Sequence, residues 1–173
     1  MSVLPEGRRG DTAFGRLGDI SQQPPVWALL AGGLAALGGV RGRRAALRGV
    51  ACYGAAAVVG NFVIKPVVQR SRPPGAEKRR LGPLTSSFPS GHAATDLAFT
   101  LGVTQEIPVL FFPLAALTLT AHWSLVRSRG HYPSDVLVGG VLGVLVALVM
   151  WKVWPPSRPE PEPELTTDGV SGE

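Results

Sequence analysis

His131 and Asp135 lie four residues apart in RSRGHYPSD, Arg127 to Asp135, and His92 closes the stretch SSFPSGH, Ser86 to His92. At the start of a helix, residues four apart share a face about one turn from each other. Asp135 can then accept the proton on one ring nitrogen of His131, which fixes the tautomer and turns the lone pair of the other nitrogen outward. A histidine acting as nucleophile or base needs that arrangement. The same spacing also fits an interfacial histidine followed by an acid that favours the positive end of a helix dipole.

PSGH, Pro89 to His92, adds a second part. Pro89 and Gly91 shape a turn into a helix, and the first N–H groups of a helix lack acceptors within it. Together with the dipole they form a site for a phosphate-like anion. Ser90 and the N–H groups of Gly91 and His92 would cradle that anion, and His92 could donate a proton to it. The stretch from Lys65 to His92 adds the cations Lys65, Arg70, Arg72, Lys78, Arg79 and Arg80, and the stretch around His131 adds Arg127 and Arg129. Three dispersed histidines and a single cysteine fit a zinc site badly, so neither a metal nor another cofactor is expected. Fixed cations, oriented N–H groups, a histidine backed by a carboxylate and a second histidine suit phosphoryl transfer to water through a phosphohistidine.

These residues must be positioned by elements that live in lipid. The chain has 173 residues, 45% of them apolar, with a mean hydropathy of +0.20, above the usual range for a soluble domain of this size. The apolar residues fall into five blocks: Pro24 to Val40, Ala45 to about Val68, His92 to about Thr104, Ile107 to Val126, and Val136 to Trp154. Most approach the ~20 residues that cross a ~30 Å hydrocarbon layer. The expectation is an all-α, membrane-embedded bundle of about five transmembrane helices over residues 24–154. A flexible segment, 1–23, would precede it and a disordered Pro/Glu-rich tail, 155–173, would come after it. With five spans, the two loops that hold the histidines reach the same membrane surface.

Gly139, Gly140 and Gly143 would let helices approach closely, although a glycine-rich chain offers such spacing by composition alone. Cys52 is expected to pack as a small apolar residue. The basic stretch RGRRAALR, Arg41 to Arg48, reads as a headgroup and topology anchor between two apolar blocks. The net charge of +5 therefore points to membrane lipids as partners and not to nucleic acid.

In these three motifs the chain resembles the type 2 phosphatidic-acid phosphatase superfamily, lipid phosphatases related to bacterial haloperoxidases. Lys65, six residues, then Arg72 and Pro73 match the first motif; Pro89 to His92 match the second; His131, three residues and Asp135 match the end of the third. The resemblance implies a lipid phosphatase of the cell membrane. In it Lys65, Arg72, Ser90 and Gly91 hold the phosphate, His131 attacks, Asp135 partners His131, and His92 protonates the leaving oxygen. The family's arginine six residues before the nucleophile is missing, because Leu125 stands there after Ser124. Arg127 or Arg129 is expected to replace it.

Leu125 also suits a rival reading, a catalytically silent protein that binds lipid phosphate headgroups. Asp96, four residues after His92, is expected either to orient His92 or pair with a cation, or to be a water-exposed acid of the first turn. His122 is expected in the core. Lys and Arg are more numerous on the site side, which by the positive-inside rule points to the cytoplasm. The family implies the outer face, and that placement is the one expected.

Overall fold

The computed structural model describes residues 20, 24–74 and 86–157. The expected N-terminal segment 1–23, apart from Ile20, lies outside the described residues, as do Lys78, Arg79, Arg80 and the tail beyond Ser157. Helix α1 spans Pro24–Leu37, and after Gly38 helix α2 runs Gly39–Val58. It continues without a break as a π-helical turn, Val59–Ile64, that ends at Lys65. Helix α3 spans Gly91–Glu106; a short 3₁₀ turn, Pro108–Leu110, leads into α4, Phe111–Arg127; and α5 spans Pro133–Val153. Among the described residues the fold is entirely helical.

Three stretches are long and apolar enough to cross a membrane: Gly39–Ile64, Pro108–Arg127 and Pro133–Val153. At 1.5 Å per residue, the 20-residue stretch reaches about the 30 Å of a hydrocarbon core. The two remaining helices, α1 with 14 residues and α3 with 16, fall short of it. Of the five apolar blocks expected to span, three are thus long enough by themselves, and α3 differs from the others in its setting. It is the central helix, packed against α2, α4 and α5, so most of its side chains meet protein. Being enclosed, it tolerates Thr95, Asp96, Thr100 and Glu106, all buried. The outer helices show the reverse pattern, with Phe112, Leu119, Leu137, Leu145 and Val149 exposed.

The basic stretch is also placed differently from expectation. Arg41 to Arg48 are not a link between blocks but lie in the opening turns of α2, and Arg48 is fully buried. Its Nε donates to Glu106 Oε1 at 2.9 Å, and its Nη1 donates to the Trp154 carbonyl and to Gln105 Oε1. Cys52 is buried among Ala56, Ala94 and Ala98, the small side chains that let α2 and α3 come together. Beyond them Trp27 tilts onto Phe99, ring centroids 5.3 Å apart, in a core with Ala45, Val103 and Leu114.

Gly139 and Gly143 form the contact that matters most for the site. A Cβ on Gly139 would fall against the Ser90 carbonyl oxygen, and one on Gly143 would lie 2.5 Å from that of Ala94. Both obstacles are backbone of α3 or its cap, which cannot rotate away. Gly140 instead looks toward Leu97 with room to spare. Gly143→Leu is therefore expected to lower the thermal midpoint in detergent by the equivalent of about 1–3 kcal/mol, the usual cost of overpacking. Gly140→Ala should leave it nearly unchanged. Equal midpoints for the two variants would show that the α3–α5 approach is not this close.

Candidate active site

The two loops meet at one end of the bundle. His131, 4% exposed, directs Nδ1 at the Ser87 carbonyl, 2.8 Å away, and Nε2 toward Arg72 Nη1 at 3.4 Å. A carbonyl only accepts, so Nδ1 carries the proton and Nε2 presents its lone pair beside the guanidinium. Arg72 is itself fixed by a 2.6 Å hydrogen bond from Nη1 to the Gly130 carbonyl. Asp135 is close to the ring but does not take its proton, since Oδ2 stands 3.9 Å from Nδ1. Its carboxylate is otherwise engaged. Oδ2 accepts the Tyr132 N–H at 3.0 Å in a capping box at the start of α5, and Oδ1 accepts from Arg70 Nη1 at 2.8 Å. The i, i+4 spacing names Asp135 as the acceptor; in the structure a backbone carbonyl from the other loop holds that position.

Lys65 closes the site from α2. The π-helical turn before it carries Asn61, whose Oδ1 accepts from Lys65 Nζ at 2.7 Å. Lys65 is only 7% exposed, and burial together with the adjacent Arg72 pushes its pKa below the ordinary value. Two cations held side by side in a water-poor pocket repel each other unless an anion lies between them. The same surroundings act on His131: burial first, then Arg72, push its imidazole down to about 4, against smaller opposing effects of the Ser87 carbonyl and Asp135. The ring is thus neutral near pH 7, the state in which a histidine can attack.

Helix α3 begins beside these groups. Phe88–Pro89 is a cis peptide, and the Ser90 N–H donates to the Asp135 carbonyl at 2.9 Å, tying the PSGH turn to α5. Ser90 is fully buried and caps α3, its hydroxyl accepting the Ala93 N–H at 3.3 Å. Its hydroxyl proton stays available to a ligand, but its first task is structural. A Cβ at Gly91 would touch Lys65 Nζ and Asn61 Oδ1 at 3.4 Å, so the helix start and the ammonium share one small space. His92 is half-buried and close enough to His131 to oppose its protonation.

The two arginines expected to replace the guanidinium missing at Leu125 are differently disposed. Arg127 is exposed, with its guanidinium stacked 4.8 Å over the Trp123 ring. Arg129 is exposed on a left-handed backbone, φ 55°. Leu125 is buried, and its carbonyl accepts the His131 N–H at 3.2 Å, so the position still supports the histidine through its backbone.

Two residues escaped the motif reading. Ser87 supplies a backbone acceptor, which no side-chain pattern reveals. Arg70 supplies the ion pair to Asp135, and its only signal was membership in a run of cations. Asp96 is 1% exposed, which removes the water-exposed reading; its Oδ1 accepts from Thr95 at 3.4 Å and its Oδ2 has no hydrogen-bond partner among the described residues. His122 lies in α4 with its ring on the Ala93 backbone, within the helix packing. Among the described residues no three His, Cys, Asp or Glu side chains gather closely enough to hold a metal ion.

The family model described as PAP2 superfamily matches residues 46–159. Two curated relatives, the decaprenylphosphoryl-5-phosphoribose phosphatases of two strains of Mycobacterium tuberculosis, are each 35% identical over 106 residues, covering 56% of this chain and 56% of theirs. The chain thus spans about half the length of these relatives. No solved structure gives a significant match.

Proposed function

The chain belongs to the PAP2 superfamily, and from that premise we propose that it hydrolyses a phosphate monoester or diphosphate of a membrane lipid through a phosphohistidine on His131, without a metal. The observation that carries this reading is the His131 ring, whose protonated Nδ1 is held by the Ser87 carbonyl while Nε2 stands 3.4 Å from Arg72 Nη1. A phosphate held between Lys65 and Arg72, near Gly91 and the start of α3, would bring its phosphorus to that nitrogen.

His131 attacks and the bond to the leaving oxygen breaks as His92 gives that oxygen a proton. Water then attacks the phosphohistidine, with His92 taking up the water's proton. Charge on the equatorial oxygens is neutralised throughout by Lys65 and Arg72, with N–H groups at Gly91 and His92 and the hydroxyl of Ser90 in support. Positioning and electrostatics therefore supply most of the acceleration. Asp135, with Oδ2 at 3.9 Å from Nδ1, favours the positive charge that the ring gains in the intermediate. Arg127 and Arg129 stay outside this scheme, since both are exposed and one is already stacked on Trp123.

In this reading the helices form a five-span bundle in the cell membrane, with the site at the outer face. The name of the two relatives directs attention to polyprenyl-linked sugar phosphates. The test is phosphate release in detergent from decaprenylphosphoryl-phosphoribose, a polyprenyl diphosphate, phosphatidic acid and phosphatidylglycerol phosphate. Turnover of at least one, inhibited by vanadate and unaffected by a chelator, is the expected result. Binding without release from any of them would leave the silent headgroup binder, the reading that Leu125 favours.

A further inference from the structure

Arg70 belongs to none of the three motifs, yet it contacts both residues, Ser87 and Asp135, whose oxygens lie nearest the His131 Nδ1 proton. Its backbone sets the first of them: the Arg70 N–H donates to Ser86 Oγ at 3.2 Å and its carbonyl accepts the Ser87 N–H at 2.9 Å. That pairing fixes the short segment from which the Ser87 carbonyl reaches His131. Its side chain sets the second. Nη1 donates to Asp135 Oδ1 at 2.8 Å and to Ser134 Oγ at 2.9 Å, while the guanidinium lies 4.2 Å over the Tyr132 ring. Tyr132 in turn gives its N–H to the other oxygen of Asp135. The carboxylate is thus clamped from both sides and stops 3.9 Å short of the imidazole.

We infer that Arg70 is a positioning residue that holds Asp135 away from His131, so that the histidine works with a neutral carbonyl behind it in place of a carboxylate. The chemical consequence comes from the charge of the acceptor. A carboxylate bonded to Nδ1–H stabilises the imidazolium and makes the ring a stronger base, whereas a carbonyl does so weakly. With Arg70 in place the ring stays unprotonated, and able to attack, well into acidic solution. The charged groups that act on it are Arg72 from the first loop, His92 from α3 and Asp135 from α5, with Arg70 bonded to Asp135 and Lys65 beside Arg72 behind them. Four of these five are cationic or can become so, and Asp135 alone opposes them. Freeing that single carboxylate therefore brings the one nearby negative charge, among these groups, that can raise the ring's midpoint.

The experiment uses the full chain in detergent micelles with its three histidines labelled with ¹⁵N. The ring nitrogens are titrated in the wild type, in Arg70→Gln, in Arg70→Lys and in Arg70→Gln/Asp135→Asn. Arg70→Gln is expected to raise the His131 midpoint by about one unit or more. Arg70→Lys, which keeps a cation on Asp135, should leave it near the wild-type value. Adding Asp135→Asn should return the midpoint of Arg70→Gln to the low value. The acid limb of kcat/KM should move with the midpoint.

A folded Arg70→Gln with an unmoved midpoint overturns the inference. So does a rise that persists without Asp135, because it would reflect only the loss of a nearby cation. A wild-type midpoint above the ordinary 6.5 overturns it with no variant needed, since Asp135 would then already serve the ring. The inference builds on the phosphatase reading only for the kinetic limb. The ring titration uses no substrate, so an inactive chain refutes that reading alone, and an active chain with an unmoved midpoint refutes this one alone.

Discussion

His131→Ala is expected to reduce phosphate release from the best lipid substrate by on the order of 10⁴-fold or more, while the protein keeps its thermal midpoint within a few degrees. The size reflects the role. Removal of a covalent nucleophile leaves only binding and charge stabilisation, which in comparable triads sustain a small residue of the rate. Here that residue would come from Lys65 and Arg72, which remain in place when the imidazole is cut away. Stability should change little because a weakly basic buried ring is lost together with one hydrogen bond to a carbonyl. Release that continues at a tenth of the wild-type rate or more would refute His131 as nucleophile.

The pH profile gives the same claim a second test. The ring is pushed down to about 4 from an ordinary 6.5, so the attacking form is lost only as the pH falls toward 4. Between the two values the unfolded chain binds a proton that the folded chain declines. Stability should therefore be complete above 6.5 and decline as the pH falls through that window.

The outline of the candidate site was legible because its parts repeat a pattern of side chains. Ser90, His92, His131 and Asp135 emerge from residue type and spacing, the resemblance picks Lys65 and Arg72 out of a run of cations, and the structure brings the two loops that carry them together. What spacing could not reach was the partner of each group. An i, i+4 relation places Asp135 near His131, but whether the proton goes there depends on a carbonyl 44 residues away, that of Ser87, and carbonyls leave no mark in a sequence. Arg127 and Arg129 were near in sequence to the gap at Leu125, yet nearness in sequence says nothing of direction. The last turn of α4 carries Arg127 outward onto Trp123, and the left-handed Arg129 comes just beyond it.

The apolar blocks were legible as helices, with boundaries that erred where charge entered a helix. Arginines read as surface residues, which places the start of α2 at Ala45, although its true start is Gly39. The error is instructive because Arg48 is buried only by virtue of a carboxylate 58 residues away. Nothing local announces such a pair.

That pair leads to the second large effect, expected in Glu106→Ala: a loss of stability equivalent to about 3 kcal/mol, the lower end of the cost of removing one partner from a buried ion pair. The lower end applies because the pair lies at the last residue of α3, near the edge of the bundle. Glu106 has no exposed side-chain surface, and both of its oxygens are engaged. Oε1 accepts from Arg48 Nε at 2.9 Å, and Oε2 accepts from the N–H and hydroxyl of Ser157 at 3.2 and 2.8 Å. Its loss leaves the fully buried Arg48 uncompensated and releases the segment after α5. Replacing both charges, as in Arg48→Met/Glu106→Leu, should cost less than the single change, because no lone charge is left behind. The Trp154 carbonyl and Gln105, which Arg48 also serves, keep that cost above zero. Thermal unfolding in detergent decides between the outcomes, and a double variant less stable than Glu106→Ala would refute this account of the pair. The site should report the same event at a distance. The helices joined at Glu106 carry Lys65, the PSGH turn and Asp135 at their other ends, so phosphate release by Glu106→Ala should be near normal in the cold and fail at a lower temperature than in the wild type.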